Sequence, residues 1–151
     1  MKRGCLSGLV VASLLGLTPA MGWCADFRSV AEAGAIFYDA PTTRGKKLFV
    51  VSRDYPVEVL VNNDGWSRVR DASGELAWVE RKSLAERRTV LVTAAIAEVR
   101  SGPSDQAAVV FRVQQGVALE LPEGPPNGPW ARVKLRDGRN GFVRLSQIWG
   151  V

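Results

Sequence analysis

Apolar and basic residues alternate in two stretches of the chain, "WSRVRDASGELAWV" (Trp66–Val79) and "WARVKLRDGRNGFV" (Trp130–Val143). A period of two is typical of a half-buried β-strand, because successive side chains point to opposite faces of a sheet. In each stretch a turn interrupts the alternation, "DASGE" in the first and "LRDGR" in the second, and the Asp137-Gly138 pair is a strong hairpin signal. Each stretch therefore predicts a β-hairpin.

The two hairpins align without a gap, which indicates an internal duplication. The alignment pairs Trp66 with Trp130, Arg68 with Arg132, Val69 with Val133, Gly74 with Gly138, Trp78 with Phe142 and Val79 with Val143. The upstream halves match as well, "AIFYDAPT" with "AEVRSGPS" and, after them, the Tyr55-Pro56 turn with the Gln115-Gly116 turn. The chain is therefore expected to hold two copies of one unit.

Short strands with tight turns, and no segment with the 3.6-residue period of a long helix, favour small barrels that leave few exposed sheet edges. We expect about five short strands in each unit. The connection "AERR" (Ala85–Arg88) is too short for a free tether, so an all-β fold with two closely packed barrels is predicted. The predicted domains are residues 26–86 and 87–151. Arg87 and Arg88 are expected at a solvated corner, and Trp149 either caps the second barrel or packs between the units.

The N-terminal residues 1–25 are typical of a secretory signal peptide. Lys2 and Arg3 precede the apolar "LSGLVVASLLGL", and Pro19, Ala20 and Gly22 follow it. The alternative is an uncleaved membrane anchor, for which the apolar span is just long enough. Both cysteines lie in this segment, so no disulfide is expected in the exported chain. We predict an exported, periplasmic protein, with inner-membrane anchoring as the alternative.

Composition narrows the possible functions. The chain is 46% hydrophobic, as globular proteins are, and it contains no histidine, so a Ser-His-Asp triad or a His-ligated metal is unavailable. The formal charge of +5 falls by two to +3 without Lys2 and Arg3, and the remaining basic residues are interspersed with acids. This charge pattern does not favour nucleic-acid binding. We expect no metal, no cofactor and no nucleic-acid partner.

The second copy resembles the bacterial SH3-like (SH3b) domain family. The residues that carry the resemblance are "AEVRSGPS", Gly116-Val117, the strand from Trp130 to Val133, and "DGRNGFV". Glu98 replaces an asparagine of the family pattern. The first copy departs further, with "FYDAP" in place of "VRSGP" and Ala77 in place of a glycine. Over residues 28–149 the resemblance implies tandem SH3-like β-barrels that bind peptidoglycan peptides or proteins, and it implies no catalysis.

Small barrels of this kind bind peptides in shallow aromatic grooves between the long loop and the hairpin. The candidate groove residues are Tyr38, Asp39, Asp54, Tyr55 and Trp78 in the first unit and Arg100 and Trp130 in the second. The alternative is that the aromatic residues on the strands serve only packing. Tyr38 and Tyr55 flank turns and have no aromatic counterpart in the second unit, so the first unit is the better candidate for binding.

Three functions remain open on the sequence alone. The first is a non-catalytic periplasmic module that binds a cell-wall peptide or an envelope protein. The second is a structural subunit of an envelope protein complex, without a small ligand. The third is an enzyme, which without histidine would need a carboxylate pair such as Asp54 with Glu58. The proline between Asp54 and Glu58 disfavours their alignment, so no catalytic residue is predicted.

Overall fold

The computed structural model describes residues 25–31, 34–126 and 128–151. The predicted signal peptide lies outside these residues, apart from Ala25. The first unit contains seven strands: β1 (Asp26–Val30), β2 (Ala35–Tyr38), β3 (Lys47–Val51), β4 (Pro56–Asn63), β5 (Trp66–Arg70), β6 (Leu76–Glu80) and β7 (Leu84–Ala85). A single 3-10 turn (Arg81–Ser83) connects the last two.

The second unit repeats this order: β8 (Thr89–Val92), β9 (Ile96–Arg100), β10 (Val109–Gln114), β11 (Ala118–Glu120), β12 (Trp130–Lys134), β13 (Asn140–Arg144) and β14 (Ile148–Trp149). Each unit forms one antiparallel sheet. The strand order is β3-β2-β6-β5-β4-β1-β7 in the first and β10-β9-β13-β12-β11-β8-β14 in the second. The predicted all-β fold with two tandem units is confirmed.

Both predicted hairpins are present, in matching register. Trp66 lies opposite Glu80 and Arg68 opposite Trp78, as Trp130 lies opposite Arg144 and Arg132 opposite Phe142. The prediction of about five strands was too low. The first strand of each unit was overlooked, and the last is only two residues long, which is too short to display a period of two.

Each sheet encloses its own apolar core, built from the inward residues of the alternating strands. The first core contains Val30, Ala35, Phe37, Val51, Val57, Val69, Ala77 and Val79. The second contains Val90, Val92, Ala97, Val99, Phe111, Val113, Leu119, Leu121, Ala131, Val133, Val143 and Ile148. Because the cores consist mostly of β-branched and small residues, strands form readily and the sheets pack closely.

The turn after β3 corrects one detail of the sequence alignment. Asp54 and Gly116 occupy the same position, with φ angles of 68° and 82°. Asp54 N–H donates to the Val30 carbonyl at 2.9 Å, and Gly116 N–H donates to the Val92 carbonyl at 2.9 Å. Tyr55 therefore corresponds to Val117, and not to Gln115 as the sequence alignment had it. The predicted pairing was wrong because backbone conformation, not residue type, fixes this turn.

The two units pack directly against each other, as predicted. The rings of Phe27 in β1 and Trp149 in β14 meet edge to face, with centroids 5.1 Å apart. Trp149 therefore packs between the units, which is one of the two positions predicted for it. A Cβ atom on Gly150 would lie 3.3 Å from the Cβ atom of Pro56, so the backbones approach closely here.

The expectation that Arg87 and Arg88 form a solvated corner was wrong. Arg88 lies over the Phe27 ring at 5.4 Å from its centroid and donates to the Gly150 carbonyl at 3.2 Å. Arg87 forms an ion pair with Asp54. Both connection residues thus hold the interface, because their long side chains reach back over the apolar contacts between the units. In the described ranges no helix is long and apolar enough to cross a membrane.

Candidate functional site

A cleft of about 570 Å³ lies between the two units. Five segments meet there: the β3–β4 turn of the first unit, the connection, and, in the second unit, β8, the β10–β11 turn with β11, and the end of β12 with the start of the β12–β13 turn. The charged and aromatic residues of these segments that line the cleft are Arg53, Asp54, Tyr55, Arg87, Glu120, Lys134 and Arg136. The cleft is therefore a property of the pair, and neither unit contains it alone.

Asp54 lies at the centre of the contacts across the cleft. Its backbone adopts a left-handed conformation, which aspartate tolerates better than most side chains do. One carboxylate oxygen accepts a hydrogen bond from Arg87, and the other accepts one from Arg136 Nη2 at 2.6 Å. Arg53 Nε is 3.9 Å from the same carboxylate. One carboxylate thus joins the first unit to the connection and to the second unit.

The charge around Asp54 is not balanced. Three guanidinium groups surround a single carboxylate, and the side chains of Arg53 and Arg136 remain 53% and 72% exposed while that of Asp54 is 19% exposed. The other two charges of the cleft, Glu120 and Lys134, are cross-strand partners of opposite sign. The cleft therefore carries excess positive charge on planar donors, which match the geometry of a carboxylate or phosphate.

Tyr55 forms the aromatic wall of the cleft. Its side chain is half-buried and packs against the first core. Burial raises the pKa of the phenol, and the negative charge of Asp71 raises it further, while a hydrogen bond from the backbone of Ala72 opposes them. Tyr55 thus stays protonated at neutral pH and contributes an uncharged aromatic side chain to the cleft lining.

Tyr38, Asp39 and Trp78 lie elsewhere in the first unit. Tyr38 is only 5% exposed, and its ring meets that of Trp66 edge to face with centroids 5.4 Å apart. Trp78 is its cross-strand partner in β6. Asp39 accepts a hydrogen bond from the Lys46 backbone N–H at 2.8 Å and so orders the β2–β3 loop. The structure brings Tyr38 and Trp78 together, in a packing arrangement, and neither lines the cleft.

Arg100 and Trp130 have structural contacts in the second unit. Arg100 donates to the carbonyls of Asp105 and Ala107 at 2.9 and 2.8 Å, and so holds the β9–β10 loop. Trp130 packs under the Arg144 guanidinium, 4.9 Å from the ring centroid, and Arg144 in turn pairs with Asp105. Of the seven predicted groove residues, only Asp54 and Tyr55 line the cleft.

Sequence reasoning missed the cations of the cleft. Arg136 is 82 residues from its partner Asp54, and no local pattern predicts that the two units meet at this point. Arg87 could have been suspected, because two arginines in a very short connection must lie near both units. Within the described part of the chain, no group of acidic side chains is arranged to hold a metal ion.

Two tandem all-β units with a charged cleft between them agree with the class of protein that the sequence resembles. The profile of the bacterial SH3 domain matches residues 31–86 and again residues 93–150. The chain therefore belongs to the bacterial SH3 domain family and carries two such domains.

Solved structures that match this chain include NlpC2 and NlpC1 from Trichomonas vaginalis and an NlpC/P60 family protein from Bacillus cereus ATCC 10987. The identities are 17%, 19% and 16%, and the TM-scores are 0.35, 0.38 and 0.35. The matches cover 83%, 96% and 82% of this chain, but only 48%, 50% and 55% of those proteins. This chain thus spans about half the length of the similar structures. Among curated proteins, none matches it significantly.

Proposed function

We propose that the protein is an exported, non-catalytic binding module of the bacterial envelope, and that the cleft between its two units binds a carboxylate-bearing peptide of the cell wall. Bacterial SH3 domains are typically cell-wall binding modules, which supports a binding role for a chain with two of them. Peptidoglycan peptides end in free carboxylates, so their chemistry is complementary to a cleft with excess guanidinium groups.

The observation that carries the proposal is the ratio of three arginines to one aspartate. Asp54 engages Arg87 and Arg136, while Arg53 lies at the margin of ion-pair distance and its side chain is 53% exposed. Arg53 is therefore the cation least committed to holding the units together. A ligand carboxylate placed beside it would make charge-assisted hydrogen bonds with little rearrangement of the interface.

The remaining parts of the proposal concern place and chemistry. A basic start followed by an apolar segment and small residues supports export, and the periplasm is the compartment we propose. The absence of histidine from the chain leaves only unusual catalytic arrangements. Glu58, considered above as a catalytic partner of Asp54, instead pairs with Arg70 on the neighbouring strand.

Co-sedimentation of the purified protein with peptidoglycan sacculi tests the proposal. Arg53→Ala removes one cation from the cleft and leaves the two main Asp54 contacts in place. Arg68→Ala is the matched control, because Arg68 is an exposed arginine on β5 of the same unit and does not line the cleft. Both variants lower the net charge by one.

We expect saturable pelleting by the unmodified protein and by the Arg68→Ala variant, and an apparent affinity about tenfold lower for Arg53→Ala, equivalent to the loss of one charge-assisted contact. Equal losses in both variants would indicate attraction by net charge alone. A protein that stays in the supernatant at low and at moderate salt would contradict binding to the wall.

A further inference from the structure

The strand β3 is one of the two edges of the first sheet, since among the described strands it pairs only with β2. An edge strand directs every second backbone N–H and C=O away from its sheet, where they are free to pair with another chain. Natural proteins usually protect such edges with charges or with covering segments. The residues around β3 determine whether this edge is protected.

The outer face of β3 is apolar. Leu48 and Val50 are exposed, Val50 lies opposite Ile36 of β2, and Leu48 shares a shallow groove of about 350 Å³ with Leu76 of β6. We call Ile36, Leu48, Val50 and Leu76 the β3 face. Val50 is 63% exposed, the largest value among the large hydrophobic residues of the described ranges. Contiguous apolar surface beside an unpaired edge is a feature of binding surfaces.

The second unit has charges where the first has the β3 face. Glu98 and Arg112 are cross-strand partners on β9 and β10, at the positions of Ile36 and Val50, and they form an ion pair of 2.9 Å. Asn140 replaces Leu76 in the hairpin alignment, Val110 keeps the apolar character of Leu48, and Ile96 at the start of β9 is the other exposed apolar residue at this edge. The duplication thus supplies an internal control, in which the same edge is protected by charge in one copy and apolar in the other.

Basic residues lie at both ends of β3. Arg44, Lys46 and Lys47 precede its apolar part and Arg53 follows it, whereas Ala108 and Val109 occupy the positions of Lys46 and Lys47 in the second unit. In the described ranges no acidic side chain forms an ion pair with the first three. A second copy of this chain would bring like charges together, while an acidic partner would be attracted. Glu75, beside Leu76, is the one acid lining the groove.

We propose that β3 is a docking edge for a partner protein, which adds an extended segment as an eighth strand of the first sheet. The segment would place apolar side chains on the β3 face and acidic side chains near the basic ends of β3. Main-chain hydrogen bonds would supply affinity in this arrangement, and alternate side chains would supply specificity. Apart from Arg53, which belongs to both, this surface is separate from the cleft, and the β3 face does not depend on the function of the cleft.

Fluorescence anisotropy with a labelled synthetic peptide tests the proposal. The probe has alternating Val and Thr in its middle and Asp and Glu at both ends, and a second probe has Lys and Arg at its ends instead. The edge variant combines Ile36→Glu with Val50→Arg. It places a Glu–Arg pair where the second unit has the ion pair of Glu98 and Arg112, so it should fold. Arg112→Ala, on the edge of the second unit, is the control. We expect the acidic probe to bind, and the edge variant to weaken binding at least tenfold while Arg112→Ala leaves it unchanged.

Amide hydrogen exchange on the unmodified protein provides a measurement that needs no variant. The acidic probe should slow exchange in residues 47–51 and leave residues 109–114 unchanged. Equal binding of both probes, no binding of the acidic probe, or protection elsewhere would overturn the proposal. A dimer of the protein alone that the edge variant dissociates would assign the edge to a second copy, and would also overturn it. The edge variant should still pellet with sacculi, so failure of this proposal and failure of wall binding are distinguishable.

Discussion

The turns that follow β3 and β10 share one backbone geometry but differ in their side chains. The left-handed position is Asp54 in the first unit and Gly116 in the second, and the next residue is Tyr55 in the first and Val117 in the second. Glycine satisfies the backbone requirement at no steric cost. Aspartate at the same place supplies a carboxylate that reaches Arg136 of the other unit. The duplicated fold therefore acquired its central interface contact from a side chain that the backbone does not require.

The outer edges of the two sheets differ in a similar way. Ile36 and Val50 make the first edge apolar, and Glu98 and Arg112 make the second edge charged, although the registers are the same. Inward positions are apolar in both units, because each core must exclude water. The two units thus share the pattern of buried residues but differ at their surfaces, and the candidate binding features lie mainly around the first unit.

The largest expected effect comes from the two cores. Phe37 and Val99 occupy the same position of β2 and β9 and are both fully buried, and Phe37 also packs on Phe49 with ring centroids 5.2 Å apart. Phe37→Ala should lower the free energy of unfolding by about 3–5 kcal/mol. Val99→Ala removes two methyl groups and should cost about 2 kcal/mol. Urea unfolding, monitored by tryptophan fluorescence, checks both values. A smaller loss of stability for Phe37→Ala than for Val99→Ala would contradict the equivalent core positions of these two residues.

A second comparison exchanges alanine and glycine between the hairpins. Gly141 of β13 corresponds to Ala77 of β6. A Cβ atom on Gly141 would lie 2.5 Å from the Arg100 carbonyl oxygen and 2.7 Å from Val99 Cγ1, so the backbone must shift. Gly141→Ala should therefore destabilise the protein by about 1–3 kcal/mol, and the reverse change Ala77→Gly by about 1 kcal/mol or less. Thermal unfolding measures both; a stabilised Gly141→Ala variant would refute the close approach.

The contribution of Asp54 should be smaller. Asp54→Asn keeps a side chain that tolerates the left-handed backbone but removes the charge that Arg87 and Arg136 bind. Because these are partly exposed ion pairs, we expect a loss of about 0.5–1 kcal/mol that vanishes at high salt. Arg112→Ala, which breaks an ion pair within the second unit, is the control for salt dependence. If the two units unfold in separate transitions in Asp54→Asn but not in Arg112→Ala, the Asp54 contacts couple the two units. A single transition in both variants would contradict this role.

Tyr55 should have the smallest effect, seen at alkaline pH. Its folded-state pKa is raised, so the folded protein holds the phenol proton more tightly than the unfolded chain does. The associated stability is present below the unfolded value near 10 and is lost as the pH rises through the folded value. Between pH 9 and 11 the unmodified protein should therefore lose stability more steeply than Tyr55→Phe. Parallel curves in thermal melts would exclude a raised pKa.

The fold was largely predictable because its signals are local. The period of two in Trp66–Arg70 and Trp130–Lys134, followed by Gly74 and Gly138, predicts two hairpins, and their repetition predicts two units. The two-residue strand Leu84–Ala85 was not predictable, because it contains no full period. Its existence depends on pairing with Ser29 and Val30, more than 50 residues away in sequence.

The cleft was predictable only in part because it depends on how the units meet. Asp54 and Tyr55 stood out beside a turn, which is a local feature. Arg136 did not, since nothing near the Asp137-Gly138 turn indicates that it approaches the first unit. Tyr38 looked like a ligand-binding aromatic, yet it is buried against Trp66, because β2 and β5 lie on either side of β6 in the sheet. Packing between residues far apart in the sequence thus determines which aromatic side chains are exposed for contact with a ligand.

The most direct test of the central claim, that the cleft between the units recognises a wall peptide, is an NMR titration of the isotope-labelled protein with a soluble wall tetrapeptide that has a free C-terminal carboxylate. We predict saturable shifts in residues 52–55, at Arg87 and in residues 134–136. Gly116, Val117 and Ala118, which also line the cleft, should shift as well, and the β3 face should not respond. Shifts centred on Tyr38, Trp78 or Trp130, or no shifts at millimolar peptide, would contradict the account.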